Sequence, residues 1–316
     1  MYKIAGTGSY LPSKTLTNDD LSKFVETSDS WIQERTGIKQ RHFVENELTS
    51  DLACKAAENA LKDAGITAEQ LDLIIVATTT PDYTFPSTAV IVQDKLGAVN
   101  AASFDVQAVC SGFVYGLSVA EGYFATKKAK HALVIGAESL SKLLDFEDRT
   151  TCVLFGDGAG AVVLSEKDDE TSGLISTKIS SMGQFVDLLK TTGGPGLTQS
   201  AGFITMQGQE VFRHAVSNLK KVCLDMLAEN NLEKSDIDLL IPHQANKRII
   251  DSTAKSLSLK PEQVVVTVDQ HANTSAASIP LALDWANKQG KIKKGDTLLL
   301  EAFGAGFTFG GALIKW

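Results

Sequence analysis

A thiol, an imidazole, an amide and two runs of small residues could do covalent chemistry together in this 316-residue chain. Cys110 stands in Val109-Cys110-Ser111-Gly112-Phe113, after a strand-like segment and before a helix that is apolar or small on nearly every face. A thiol at a helix N-terminus feels the positive end of the helix dipole, which favours thiolate and lowers its pKa. Free cysteine is most often a buried small hydrophobe, and that is the reading for Cys54, Cys152 and Cys223; the strand-to-helix turn sets Cys110 apart. His243 follows the apolar run 239–241, and strand ends are where α/β proteins place functional groups. Asn273, in His271-Ala272-Asn273-Thr274-Ser275, either joins Cys110 and His243 or caps the helix that follows.

Two glycine-rich runs, Gly156-Asp157-Gly158-Ala159-Gly160 and Phe303-Gly304-Ala305-Gly306-Phe307, lack dinucleotide-loop spacing and a phosphate-binding lysine. Small residues at such places allow close backbone approach, with N–H groups aimed at an oxyanion, or make a plain tight turn. Together these residue types suit one mechanism. A thiolate accepts an acyl group, backbone donors hold the tetrahedral oxyanion, and neutral His and Asn hold a thioester carbonyl as it becomes an enolate. That chemistry requires no metal, and the five histidines show no ligand spacing.

The elements that must position these groups read as α/β. Apolar runs at 73–77, 132–135, 160–164, 239–241, 264–268, 297–300 and 312–314 predict buried strands. Leu52, Ala53, Ala56, Ala57, Ala60 and Leu61 recur at helical spacing, as do Val211, Ala215, Leu219, Val222, Cys223, Met226 and Leu227. The design then repeats. Asp72 leads one apolar run and Asp238 another, an offset of 166 (238 − 72); Asp105 and Asp269 precede Cys110 and Asn273 at 164 (269 − 105). Two similar halves are therefore expected, 1–170 with the nucleophile and 171–316 with His243 and Asn273, their strand ends meeting at one site. On that symmetry the Asn273 turn is the counterpart of the Cys110 turn.

Composition narrows the function classes. A hydrophobic fraction of 43% and a charged fraction of 22% are ordinary for a globular protein. No apolar run approaches the ~20 residues that span a bilayer, and the N-terminus leads straight into a strand-like segment, so a cytoplasmic protein off the membrane is expected. Four dispersed cysteines point to reduced thiols. A formal net charge of −8 offers no basic footprint for nucleic acid.

Cys110-Ser111-Gly112-Phe113, His243-Gln244-Ala245-Asn246, the run Asn273 to Ser278 and Gly304-Ala305-Gly306-Phe307 resemble the motifs of the β-ketoacyl-acyl-carrier-protein synthase III family, and the resemblance runs essentially end to end. It implies a thiolase fold, layered α-β-α-β-α, and commonly a homodimer. It implies that Cys110 takes an acyl group from acyl-CoA, with acetyl-CoA the expected primer. His243 and Asn273 would then help decarboxylate malonyl carrier protein to the attacking enolate, with no cofactor beyond the CoA thioester. Backbone N–H groups of Cys110 and of the Ala305-Gly306 turn would form the oxyanion hole. Thr27, Trp31, Arg35 and Arg149 match positions that hold the CoA nucleotide, and Phe85 one that shapes the acyl pocket across the dimer interface. Gln244, Lys247, Arg248, Lys255 and Arg213 match or neighbour the surface that binds the acidic carrier protein.

Departures from that pattern are Ala272, Ala305 and Ser256, which bear on substrate and carrier preference rather than reaction type. A paralogous synthase with a longer, branched or secondary-metabolite primer would keep every motif. A papain-like hydrolase also orders Cys, His and Asn, and the 133 residues between Cys110 and His243 fall within its range. Its cysteine signature is missing, and the internal repeat has no place in it. A non-catalytic carrier-binding protein would have no use for the three groups together.

Overall fold

The computed structural model describes residues 2–167 and 172–316; the expected boundary at 170 lies outside the described residues. The strands are β1 (Tyr2–Tyr10), β2 (Lys14–Thr17), β3 (Gln40–Phe43), β4 (Leu73–Ala77), β5 (Ala102–Val106), β6 (His131–Ser139), β7 (Asp157–Glu166), β8 (Gly173–Ser181), β9 (Leu189–Thr191), β10 (Ile204–Met206), β11 (Leu239–Pro242), β12 (Thr297–Gly304) and β13 (Thr308–Lys315). The helices are α1 (Asn18–Leu21), α2 (Asp29–Thr36), α3 (Thr49–Ala64), α4 (Thr88–Leu96), α5 (Gly112–Ala125), α6 (Gly208–Glu229), α7 (Lys247–Ser256), α8 (Val268–His271) and α9 (Ser278–Lys288).

Two mixed sheets form, ordered β1-β7-β6-β4-β5 and β11-β12-β13-β8. In the first, β4 runs parallel to β6 and β5, while β7 is antiparallel to β6 and β1. In the second, β11 runs parallel to β12, while β13 is antiparallel to β12 and β8. The order and sense of β4-β6-β7-β1 thus recur in β11-β12-β13-β8. The two matched aspartates do the same work: Asp72 accepts from Lys130 N–H and His131 N–H at 2.7 and 3.0 Å, and Asp238 from Thr297 N–H at 2.7 Å. Each ties the start of one strand to the start of its parallel neighbour.

Residues 264–268 are not the strand that their apolar run predicts. Only an isolated bridge, Leu240 to Val264, marks where a fifth strand would sit, and Val268 already begins α8. Thr267 N–H and Val268 N–H bond to the buried Gln244 side chain instead of to a neighbouring strand, so a side chain has replaced the ladder.

Strand alternation explains the layers. Leu73 and Ile75 face the cluster that holds α5 and α9, while Ile74 and Val76 face the cluster built on α3. In the second sheet, Leu298 and Leu300 face α5 and α9, and Leu299 faces α6. The order is therefore α3, first sheet, α5 with α9, second sheet, α6, the α-β-α-β-α arrangement expected. Each fully buried aliphatic side chain stabilises by ~2 kcal/mol, so the central helices need no polar face; Phe113, Val114, Leu117 and Ala120 of α5 are all fully buried. Gly158 and Gly160 in β7 serve this packing, since a Cβ on Gly160 would lie 2.5 Å from Leu281 N of α9. That run is a strand pressed against a helix, not a set of oxyanion donors.

Candidate active site

The chain leaves β5 and enters a tight turn, Val109–Ser111, before α5 begins at Gly112. Val109 takes φ +50°, which a β-branched residue adopts at a cost of about 1–3 kcal/mol when its surroundings hold it there. Those surroundings are on the β12–β13 hairpin. Thr308 Oγ1 donates to Ala108 O at 2.7 Å, and Ser111 Oγ donates to Thr308 O at 2.9 Å. Gly304 closes the contact: a Cβ there would sit 2.7 Å from Cys110 N. The Ala305-Gly306 turn follows directly, with Gly306 at φ +125°.

The second half repeats this device at Ser275–Ala277, with Ser275 at φ +50° and α9 starting at Ser278. Both landmarks are offset by 166 (275 − 109 and 278 − 112). Ala276 is therefore the counterpart of Cys110, and Asn273 lies three residues earlier, a correction to the pairing read from sequence. Asn273 does not cap a helix. Its Oδ1 accepts from Ser275 N–H at 2.9 Å, and its own backbone bonds to Leu154 O and Gly156 N–H. With the carbonyl oxygen engaged, the amide NH₂ is the end left for a ligand.

His243 extends β11 by one residue, its N–H donating to Glu301 O at 2.8 Å. Nδ1 lies 2.6 Å from Ser278 Oγ, which also accepts from Gln244 N–H at 3.3 Å. Burial lowers the His243 pKa to about 3, so the imidazole is neutral at working pH. Burial also pushes the Cys110 thiol up to about 12, outweighing the lowering contributed by Ser275 and by the Cys110 N–H. The helix-end lowering expected from sequence does not prevail in the resting site, because the same turn that points Cys110 at α5 removes it from water.

Cys110, His243, Asn273, Trp31, Arg35 and Arg248 line one cavity of about 560 Å³. The three reactive groups are buried, with exposures of 5–7%, while Trp31, Arg35 and Arg248 lie in α2 and α7. The Arg35 guanidinium sits 4.5 Å and that of Arg149 5.1 Å from the Trp31 ring. Arg149 also donates to Glu26 O. Thr27 and Arg149 are not among the lining residues, and Thr27 Oγ1 has no hydrogen-bond partner among the described residues.

The carrier-binding set divides. Arg248 is exposed and rests on the Phe212 ring at 5.2 Å, and Lys255 shares α7 with it. Lys247 pairs with Asp251, and Arg213 with Glu210. Gln244 does not reach any surface. It is fully buried, its Nε2 donating to Pro242 O and Val265 O while its Oε1 accepts from Thr267 N–H and Val268 N–H. Phe85 is 84% exposed and lies outside the cavity of its own chain.

Ser278 and Thr308 were not singled out by sequence. Ser278 carries a detectable signal, a hydroxyl at the first residue of the helix after the Asn273 motif. Thr308 carries none, since its role appears only when hairpin and turn meet.

The profile described as 3-Oxoacyl-[acyl-carrier-protein (ACP)] synthase III matches residues 104–183, and that of its C-terminal part matches residues 227–316. Beta-ketoacyl-[acyl-carrier-protein] synthase III of Rhodospirillum centenum is 57% identical over 317 residues, covering 99% of this chain and 98% of the relative. The same-named protein of Ehrlichia canis is 56% identical over 313 residues, again covering 99% and 98%. The crystal structure of 3-oxoacyl-[acyl-carrier-protein] synthase III from Aquifex aeolicus superposes with a TM-score of 0.96 at 46% identity, covering all of both chains. On this agreement in sequence and backbone along the whole length, the chain belongs to the β-ketoacyl-[acyl-carrier-protein] synthase III family.

Proposed function

We propose that this enzyme starts fatty-acid synthesis by condensing an acyl-CoA, acetyl-CoA being the expected primer, with malonyl-acyl carrier protein. The observation that carries this reading is that one cavity is lined by a thiol, a neutral imidazole and an amide with its carbonyl oxygen engaged. Cys110 Sγ attacks the acyl-CoA carbonyl and CoA leaves as its thiol. N–H groups of Cys110 and the Ala305-Gly306 turn hold the tetrahedral oxyanion, a placement supported by the close approach of Gly304 to Cys110 N. In the second half-reaction, Ser278 donates to Nδ1 of His243, which leaves the imidazole proton on Nε2 as a donor. That donor and the Asn273 amide hold the malonyl thioester carbonyl while CO₂ departs. The enolate then attacks the acyl group on Cys110, releasing the 3-oxoacyl carrier protein and the Cys110 thiolate, which takes a proton from solvent to restore the thiol.

Thr27, Trp31, Arg35 and Arg149 hold the CoA nucleotide in this reading, with base stacking on Trp31 supported by the two guanidiniums already at that ring. Arg248 and Lys255 lead recruitment of the carrier, with Lys247 and Arg213 beside them. Exposed Phe85 shapes the acyl pocket of a second copy in a homodimer. The halves divide near residue 170, as the matching strand orders support. A cytoplasmic enzyme working on the CoA thioester itself is our reading, and four unpaired cysteines suit a reducing compartment.

The test is an assay with a panel of acyl-CoAs and malonyl carrier protein, scored for 3-oxoacyl carrier protein. Wild type should form product with a short straight primer, and Cys110→Ala should form none. Product only with longer or branched primers would move the enzyme to the paralogous reading. The priming β-ketosynthase of the R1128 polyketide biosynthetic pathway shares this backbone at a TM-score of 0.93 and 33% identity, which is the observation that favours that second reading.

A further inference from the structure

Pro242 ends β11, and the hydrogen-bond ladder beside it is interrupted there. Val265 N–H donates to Leu240 O at 2.9 Å. A parallel ladder continuing from that bond would next join the N–H of residue 242 to Val265 O, and Thr267 N–H to Pro242 O. Proline has no N–H to give. The fully buried Gln244 side chain occupies both places. Its Nε2 donates to Val265 O at 3.1 Å and to Pro242 O at 2.8 Å, while its Oε1 accepts from Thr267 N–H at 2.8 Å and from Val268 N–H at 3.1 Å. One amide thus spends both donors and both acceptor lone pairs, wedged between the strand that leads to His243 and the segment that leads to Asn273. The backbone N–H of the same residue donates to Ser278 Oγ at 3.3 Å, and that hydroxyl lies 2.6 Å from His243 Nδ1.

We propose that Gln244 is a positioning residue for the decarboxylation half of the reaction. Its inserted amide is a spacer that sets the separation between the His243 imidazole and the Asn273 amide, so that both reach one thioester carbonyl oxygen. This inference rests on the condensing-enzyme reading, and it gives Gln244 a task other than contact with the carrier.

The path is short on both sides. His243 is the preceding residue, and its own N–H is fixed on Glu301 O at 2.8 Å. On the other side, Thr267 and Val268 open α8, where His271 N–H bonds to Thr267 O at 2.9 Å and Ala272 N–H to Val268 O at 3.0 Å. Ala272, at φ +57°, then turns the chain into Asn273. Without the amide, four buried backbone groups lose their partners, and the gap must close or admit water. Either response moves the start of α8 against the end of β11. A misplacement of about 1 Å at a reacting group can cost about 100-fold in rate. Cys110 stands at the start of α5 and is held by the β12–β13 hairpin, with no bond to Gln244, so acyl loading is spared.

Gln244→Leu removes the whole amide; Gln244→Glu keeps an oxygen for Thr267 and Val268 but loses the NH₂ donors. Each would be compared with wild type in single-turnover acyl loading and in decarboxylation of two substrates, malonyl carrier protein and malonyl-N-acetylcysteamine, a thioester with no protein attached. Loading should stay within about threefold, which also shows that the variants fold. Decarboxylation kcat should fall about 100-fold in Gln244→Leu and about tenfold in Gln244→Glu, by the same factor on both substrates. A loss confined to KM for malonyl carrier protein would make Gln244 a docking residue, and an equal loss of acyl loading would make it a general core residue; either overturns the spacer. If Gln244→Leu does not fold, Gln244→Glu decides by the same comparison. Wild type that decarboxylates neither substrate sinks the condensing reading instead. Crystal structures of wild type and Gln244→Glu then decide the spacer, with Asn273 displaced relative to His243 supporting it and Asn273 unmoved overturning it.

Discussion

All four cysteine thiols are pushed up in pKa by burial, to about 12 for Cys54 and Cys110 and about 11 for Cys152. Titration therefore does not mark the nucleophile; the company it keeps does, because Cys110 shares a cavity with His243 and Asn273. Burial also raises the Glu301 carboxyl to about 8; among the described residues its Oε2 has no hydrogen-bond partner, and only the Thr253 hydroxyl opposes the shift. A carboxyl whose folded pKa exceeds its unfolded value loses stability as pH rises from about 4.5 towards 8, by up to about 1.4 kcal/mol per unit. Thermal melts of Glu301→Gln and wild type should therefore diverge in favour of the variant between pH 6 and 9. A constant difference would mean that Glu301 does not titrate in that window. Cys110 and His243 were legible because their motifs follow strands, and Asn273 because its motif repeats the turn that opens a buried helix. Ser278 was not, since a hydroxyl's partner is set by distant segments. Gln244 was misread because the residue after a strand-end histidine turned inward, and its amide fills in for a missing strand.

At the scale of elements, the repeat was legible through strand-leading aspartates, but one of its offsets was not. Counting from Asp105 and Asp269 gives 164, whereas the paired turns obey 166, which moves the counterpart of Cys110 from Asn273 to Ala276. The segment before Asn273 has lost its strand, so its spacing to the turn was free to drift. Residues 264–268 show the same limit, since an apolar run records burial and not hydrogen bonding. The turn depends on the hairpin beside it. Gly304→Ala would press a Cβ into Cys110 N and should cost about 1–3 kcal/mol of stability. Acyl loading should fall more than tenfold with His243 and Asn273 in place, read by urea unfolding beside single-turnover loading. A fully active Gly304→Ala enzyme would show that the close approach does not position the nucleophile.

At the scale of the molecule, two similar sheets press α5 and α9 between them; the turn that starts α5 carries Cys110, the segment leading into α9 carries Asn273 and the end of β11 carries His243 to one cavity. Alternating apolar strands and amphipathic helices made this layering legible. What a single chain does not display is the partner surface that exposed Phe85 is proposed to complete. The central claim is a division of labour in which Cys110 carries the acyl group while His243 and Asn273 discharge it. Intact-protein mass spectrometry of wild type and His243→Ala, mixed with acyl-CoA and then with malonyl carrier protein, tests this most directly. Both proteins should gain one acyl mass on Cys110. Wild type should then lose it, while His243→Ala should discharge about 10²–10³ times more slowly. Failure of wild type to load Cys110, or discharge of His243→Ala at the wild-type rate, would contradict the account.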